Sequence, residues 1–350
     1  MTLVAVSTVL NPALNCSIFV WLTLFSLFHF NVFSLEGFEG NFEGGELVDR
    51  HAKVHYFDGS KYEGGMLDGQ KHFFGKITKG CPNRTIQAKF KNGSAVLSET
   101  LLIKYPNGNK YQGQLNDREM KHGKGVMEYN NGEKYDGDWE NDKKCGFGKY
   151  LYEDGSVFEG IWVNDMRKDG EGLMKYVTRD EYRGEFRLCK RHGVGQLKTR
   201  WGDTYEGQWL YDKRHGNGRQ VWKDGTFYEG TWKDGKMHGE GVKTFAGVGG
   251  GKYTGQWTNG ERIGLGSFLF KGGDEYHGHW SADVKSGHGI LKNWNGRVAY
   301  DGLWLEDRRA PPDANKKFVA SPGFAAAQAE SYKLEASGTG ESALEANVPK

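Results

Sequence analysis

The side chains that could do chemistry in this chain, by type and by spacing, are cations. A basic residue stands two positions before a Gly-x-Gly pair at Lys121, Lys144, Lys168, Arg191, Arg214, Arg262 and Lys285, and one place earlier, at Lys236, in its own copy. Consecutive copies stacked in register would align these as a cationic ridge along one edge, at intervals of about 10 Å. A ridge of that kind suits anionic headgroups or an acidic protein surface. His122, His192, His215 and His238 stand beside four of the cations. Asp142, Asp165, Asp212 and Asp234 lie in the same turns and neutralise part of the charge. Surface charge runs are usually just solvated, so turn chemistry and a binding ridge both stand as readings.

Other chemistry is hard to build from these residues. The sequence has no phosphate-binding G-x-x-x-x-G-K-[ST], no H-E-x-x-H and no G-x-S-x-G, so no enzyme activity and no cofactor are expected. His51 and His55 are four apart, a metal-binding spacing on a helix, but they fall beside a strand pattern, and no metal site is expected. Cys16, Cys81, Cys145 and Cys189 have neither redox nor zinc spacing and read as small hydrophobes. A net charge of +2 lacks the strongly basic footprint of a nucleic-acid binder.

The elements that carry the cations are repeats. The pattern aromatic-x-Gly-x-aromatic recurs with its Gly at 40, 64, 113, 137, 160, 184, 207, 230, 255, 278 and 302, with Met66 and Leu115 in place of the second ring at 64 and 113, and a degenerate copy at 86–90 fills the one double interval. About twelve units follow one another at a period of 23 to 25 residues. Residues 36–110 are degenerate and 111–305 regular. The regular framework positions are Tyr111 and Gly113, then Tyr135, Gly137 and Trp139, then Phe158, Gly160 and Trp162, then Tyr182, Gly184 and Phe186. They continue through Tyr205, Gly207 and Trp209, Tyr228, Gly230 and Trp232, and Tyr253, Gly255 and Trp257. Tyr276, Gly278 and Trp280 and then Tyr300, Gly302 and Trp304 close the series.

Each unit is too short for a helix. Turn pairs such as Asn131-Gly132 and Asp224-Gly225 precede the next aromatic, so the expected fold is all-β, a solenoid-like array of antiparallel hairpins. Strand alternation places Tyr205, Gly207 and Trp209 on one face, and Gly216, Gly218 and Trp222 on one face of the partner strand. The rings then find room over glycines that have no Cβ. With 53 glycines and 14% aromatics, ring packing between neighbours must replace a thick aliphatic core.

The runs Tyr205–Gly218 (YEGQWLYDKRHGNG) and Tyr228–Gly241 (YEGTWKDGKMHGEG) resemble the MORN repeat, the membrane occupation and recognition nexus. The resemblance spans roughly residues 38–305. It implies an elongated, twisted antiparallel array with a groove, lined by the framework aromatics and glycines. At two strands per unit and about 4.8 Å per strand, twelve units would extend roughly 100 Å. The first three units lack the His-Gly-x-Gly turn, and Pro311-Pro312 replaces the last Gly pair, as expected of terminal caps. Arrays of this family also occur beside lipid-kinase and SET methyltransferase domains, for which the residues after 305 leave no room.

The two ends differ from the array. Residues 1–35 contain no Lys, Arg, Asp or Glu, and Ile18 to Leu35 is a nearly unbroken apolar run, long enough to cross a bilayer or to serve as a signal peptide. Asn83-Arg-Thr and Asn92-Gly-Ser are glycosylation acceptors if the array faces a secretory lumen, while the lack of a disulfide pattern points to a reducing compartment. Residues 306–350 read as a Pro/Ala/Ser/Glu-rich, mostly disordered tail with one short helix near Phe324 to Ala336. The expected function is a non-catalytic scaffold for protein partners, membrane-associated through its N-terminal segment or in the secretory pathway. The alternatives are an anionic phospholipid (phosphoinositide) binding module, and an axonemal or cytoskeletal part resembling radial-spoke head proteins. The last fits if the apolar start is not part of the working protein.

Overall fold

The computed structural model describes residues 35–39, 42–43, 46–47, 49–80 and 83–319. The apolar N-terminal run and the helix expected near Phe324 lie outside the described residues. Among those described, no helix is long and apolar enough to cross a membrane, which does not bear on β-barrels.

The described chain is antiparallel β throughout, with one helix, Pro312–Val319. It divides into two compact units, Met1–Glu153 with Trp162–Met166, and Asp154–Ile161 with Arg167–Lys350. In the first unit Asp49–Tyr56, Lys61–Leu67, Gln70–Lys79 and Arg84–Lys91 pair in succession. Arg84–Lys91 also pairs with Leu101–Lys104, so residues 92–100 form an excursion and not a full hairpin. Regular hairpins follow through Lys110–Leu115, Lys121–Glu128, Lys134–Glu140 and Lys143–Leu151. In the second unit each strand pairs with its sequence neighbours from Glu181–Arg187 through Val298–Leu305.

Every hairpin has the same interior. Tyr205 pairs across to Gln220 and Gly207 to Gly218, and beyond them a bulge shifts the register so that Trp209 faces Arg214. Alternation puts Tyr205, Gly207 and Trp209 on one face, called inner here, and Glu206 and Gln208 on the outer face. The two glycines of each Gly-x-Gly do different work, unlike the common face expected for them. Gly216 takes φ +56°, the left-handed conformation of the bulge, and its missing Cβ makes room for the Gln208 side chain. Gly218 instead lies under the Tyr205 ring.

The tight turns also differ from expectation. Two-residue turns with both φ positive occur at Asn141-Asp142, Leu188-Cys189, Tyr211-Asp212 and Ala282-Asp283, between the second aromatic of one strand and the cation of the next. Such turns match the right-handed twist of the strands they join, and packing holds non-glycine residues in them. Asp68-Gly69, Asn92-Gly93, Asp234-Gly235 and Asn259-Gly260 occupy such turns as well, whereas the Asn-Gly and Asp-Gly pairs just before the first aromatic sit in longer loops. There the glycine alone turns left-handed, as in Gly132 at φ +90°, and the Asn131 side chain accepts the Glu133 N–H at 3.2 Å.

At the C-terminal end the helix Pro312–Val319 opens on a proline and carries Asp313 in its first turn and Lys316 and Lys317 in its last, each favourable to the helix dipole. The two-residue strand Arg308–Arg309 pairs with the end of Val298–Leu305, and the helix takes over beyond it: Asn315 Oδ1 accepts the Leu303 N–H at 2.8 Å.

Candidate functional site

The inner face carries the arrangement from which any function must be built. Each tyrosine lies over its glycine pair and donates its hydroxyl to the carbonyl three residues on, as Tyr205 does to Gln208 at 2.9 Å and Tyr228 to Thr231 at 2.9 Å. Burial pushes these hydroxyls well above the ordinary tyrosine range. Tyr135, Tyr205, Tyr228, Tyr253 and Tyr276 each meet two tryptophans edge to face. Tyr205 stands 5.1 Å from Trp209 on its own strand and 5.4 Å from Trp232 of the next repeat, and Tyr228 is placed likewise between Trp232 and Trp257. The indoles donate back to a preceding repeat, Trp232 Nε1 to the Gly218 carbonyl at 3.0 Å and Trp257 Nε1 to that of Gly241 at 3.2 Å. Gly–Gly pair, tyrosine and tryptophan thus form one ladder within each unit.

The cations lie on this ladder. Lys121 sits over Trp139 at 4.8 Å and Lys144 over Trp162 at 5.1 Å. Arg191 sits over Trp209 at 4.3 Å, Arg214 over Trp232 at 4.4 Å, Arg262 over Trp280 at 4.2 Å and Lys285 over Trp304 at 4.9 Å. Each is held from behind by the next turn. Asp142 accepts the Lys121 N–H at 2.8 Å, and Asp165, Asp212, Asp283 and Asp307 do the same for Lys144, Arg191, Arg262 and Lys285. The Asp212 and Asp283 carboxylates also pair with the Arg191 and Arg262 guanidinium groups, at 3.1 and 2.9 Å. Lys121, Arg191, Arg262 and Lys285 keep only 15–21% of their side-chain area exposed. Burial pushes the Lys144 and Lys285 ammonium groups and the Arg214 guanidinium down from their usual values.

Two of the sequence-derived cations stand outside the row. Lys168 and Lys236 are exposed. Their places are taken by Arg167, stacked on Phe158 at 4.8 Å, and by Met237, which faces Trp232. Where a two-residue turn follows, the controlling count is five residues after the second aromatic position, because that turn fixes the cross-strand partner; the longer Asn116–Met120 loop makes Lys121 the sixth after Leu115. Counting back from the glycines fails at Arg167, where one extra residue precedes Gly170. The same count finds Lys71, over Tyr62 at 5.8 Å, and Arg309, over Tyr300 at 5.2 Å. Lys243, over Trp222 at 5.0 Å and Trp257 at 5.9 Å, comes from a different position and was invisible to either count. The ring nitrogens Nδ1 of His192, His215 and His238 are buried without a hydrogen-bond partner in the structure, so these histidines are not a solvent-facing part of a ridge.

A cation stacked on a desolvated indole contributes about 1–2 kcal/mol. Replacing Arg191 and Arg214 together by serine should therefore lower the stability of the second unit, read as a drop in the urea midpoint. An unchanged midpoint would return both side chains to the solvent.

The far edge is laddered too. Asp203 accepts the Lys223 N–H at 2.8 Å, and Asp180 and Asp274 accept those of Arg200 and Trp294 at 2.9 Å, each spanning one repeat. These loop tips hold large apolar groups in solvent: Trp201 is 59%, Trp294 75% and Val248 95% exposed. No group of three or more His, Cys, Asp and Glu side chains among the described residues is placed to hold a metal ion. Cys145 and Cys189 are free thiols.

Comparison with known proteins agrees with this geometry. The family model for the MORN repeat matches residues 120–134, 135–157, 182–204, 205–227, 228–247, 253–275 and 276–294. It passes over the copy at Phe158, where the phenol is missing and the extra residue precedes Gly170. No curated protein matches the chain. Among solved structures, the TCP10 domain of Danio rerio CPAP in complex with a peptide of Danio rerio STIL is 11% identical, covers 73% of this chain and 94% of its own, and has a TM-score of 0.30. The TCP10c domain of Drosophila melanogaster Sas-4 is 16% identical, with coverage of 49% and 91% and a TM-score of 0.26. Seven matched copies, six of them carrying the tyrosine, glycine pair and second aromatic and the seventh, 120–134, the Gly123–Gly125 pair, make this chain a MORN-repeat protein.

Proposed function

We propose that this protein is a non-catalytic scaffold that binds protein partners through the loop edge of its repeats and is brought to a membrane by its apolar N-terminal run. The observation that carries the reading is the exposure of Trp201, Val248 and Trp294 at the tips of equivalent loops. Large apolar groups held in water on a rigid framework are typical of protein contact sites. The phospholipid reading draws less support, because the cations it needs are stacked on indoles and, at Arg191 and Arg262, paired with carboxylates.

The test combines two variants of the full chain. Removal of residues 1–34 should move the protein from the membrane to the soluble fraction on fractionation, since Ile18 to Leu35 is the longest apolar run it has. Trp201→Ser with Trp294→Ser should leave the fold and the fractionation intact while weakening capture of binding partners by at least roughly tenfold. Partners retained at full strength by the double variant would refute the loop edge as the contact surface. Salt-sensitive binding of the chain lacking 1–34 to anionic vesicles would favour the lipid reading instead.

A further inference from the structure

The outer face of the second unit has a charge arrangement of its own at the turn end of three consecutive hairpins. On strands Glu181–Arg187 and Lys190–Lys198 the last pair before the turn is Arg187 opposite Lys190. Two hairpins on, the same place holds Lys233 opposite Lys236, and between them Leu210 stands opposite Lys213. The next residues inward are Phe186, Trp209 and Trp232 with their partners Arg191, Arg214 and Met237, so alternation puts all six on the outer face. Like charges directly opposite on neighbouring strands repel and destabilise the pairing. The fold does not require them at this place: other hairpins have Glu140 opposite Lys143, Thr258 opposite Glu261 and Ser281 opposite Val284. Nor are they neutralised. Arg187, Lys190, Lys233 and Lys236 are exposed, and among the described residues their side chains make no hydrogen bond or ion pair. Asp234, whose field reaches Lys233, is held by Lys213 Nζ at 3.1 Å, and Asp212 by the Arg191 guanidinium at 3.1 Å. Leu188 is 71%, Tyr211 41% and Leu210 38% exposed in the same turns.

We propose that this surface binds an acidic, extended segment of a partner protein, with carboxylates at both ends and an apolar residue between them. The like-charged pairs lie four strand spacings or about 20 Å apart, which an extended segment of about six residues spans. Carboxylates over Arg187 with Lys190 and over Lys233 with Lys236 would remove the repulsion within each pair, and a central apolar side chain would meet Leu210. The turn tips favour a protein over a membrane. Asp212 and Asp234 stand at those tips, 46% and 62% exposed. A flat anionic surface approaching edge-on meets these carboxylates first, whereas a narrow segment on the outer face meets the cations. The row is also bounded, since the next turn carries Thr258 and Glu261 in place of a basic pair. It lies at the opposite end of the strands from Trp201 and Trp294, and is therefore a second contact surface beside the loop edge.

The probe is a dye-labelled peptide with three glutamates on each side of one leucine, read by fluorescence anisotropy against the full chain. It should bind, and raising salt from about 20 to 200 mM should weaken binding by roughly tenfold. Lys190→Glu with Lys236→Glu places a carboxylate opposite Arg187 and Lys233. The melting midpoint should therefore hold or rise, while peptide binding falls by roughly tenfold or more. Lys190→Gln with Lys236→Gln should show the same loss at smaller size. A wild-type chain that does not bind the peptide at low salt, or binding that survives both double variants, overturns the proposal. A midpoint that falls in both variants overturns it too, by showing that the cations hold the turns. Loss of peptide binding in Trp201→Ser with Trp294→Ser overturns it in favour of the loop edge. Phosphatidylserine vesicles bound more weakly by the double variants than by the wild type, with the peptide left unbound, overturn it in favour of a membrane.

Discussion

Trp232→Ala should destabilise the second unit by about 3–5 kcal/mol, the largest effect expected of a single side chain here. The indole is 3% exposed and joins two repeats at once. It meets Tyr205 at 5.4 Å and Tyr228 at 5.2 Å edge to face, carries the Arg214 guanidinium on its ring and donates Nε1 to the Gly218 carbonyl. Each edge-to-face pair adds about 0.5–1.5 kcal/mol beyond simple burial. Trp232→Phe should recover the burial and part of the ring contacts but not the hydrogen bond, as Phe186 already does in its own repeat. Urea unfolding of the three proteins gives the ranking. A loss for Trp232→Ala no larger than for Trp232→Phe would mean that the ladder is not the source of stability.

Gly230→Val should cost about 1–3 kcal/mol or more, because the clash is with main chain and cannot be relieved by a rotamer change. A Cβ at Gly230 would stand 2.5 Å from the Gly241 Cα, 2.6 Å from the Glu240 carbonyl oxygen and 2.6 Å from the Tyr228 hydroxyl. Gly207→Val meets the same obstacles at Gly218 and Tyr205. Even Gly230→Ala should lower the melting midpoint, since the first added carbon already collides. Gly235→Asn is the control. That glycine turns left-handed at φ +85° with nothing within 4 Å of a Cβ, and asparagine tolerates the conformation. A midpoint for Gly230→Val equal to that of Gly235→Asn would contradict the packing of tyrosine over the glycine pair.

How far the sequence could be read depended on what repeated. Tyrosine, glycine and tryptophan recur at fixed offsets within one strand, and strand geometry converts those offsets into a shared face without further information. The same holds for the absence of helix across the array, because no window of it sustains a helical period. The tight turn was not legible in this way. Tyr211-Asp212 and Leu188-Cys189 carry no glycine signal, and their left-handed backbone is imposed by the pairing of Trp209 with Arg214 and of Phe186 with Arg191.

The cations mark the limit most clearly. Their periodicity is plain in the sequence, yet a period does not say whether a charged group faces water or a ring. Long arginine and lysine stems can do either, and only the position of the neighbouring indole decides. The cross-strand register set by the turn places Arg214 over Trp232 and leaves Lys236 in solvent, although both precede a Gly-x-Gly pair by nearly the same count. The sequence by itself therefore determined the hairpin repeat, its inner face and its framework residues, because those follow from local spacing. Tertiary structure alone decided which cations join the aromatic ladder, how the last strand is closed by Asn315, and that His277 and Ile290 are buried on the outer face, because each depends on what lies one repeat or more away.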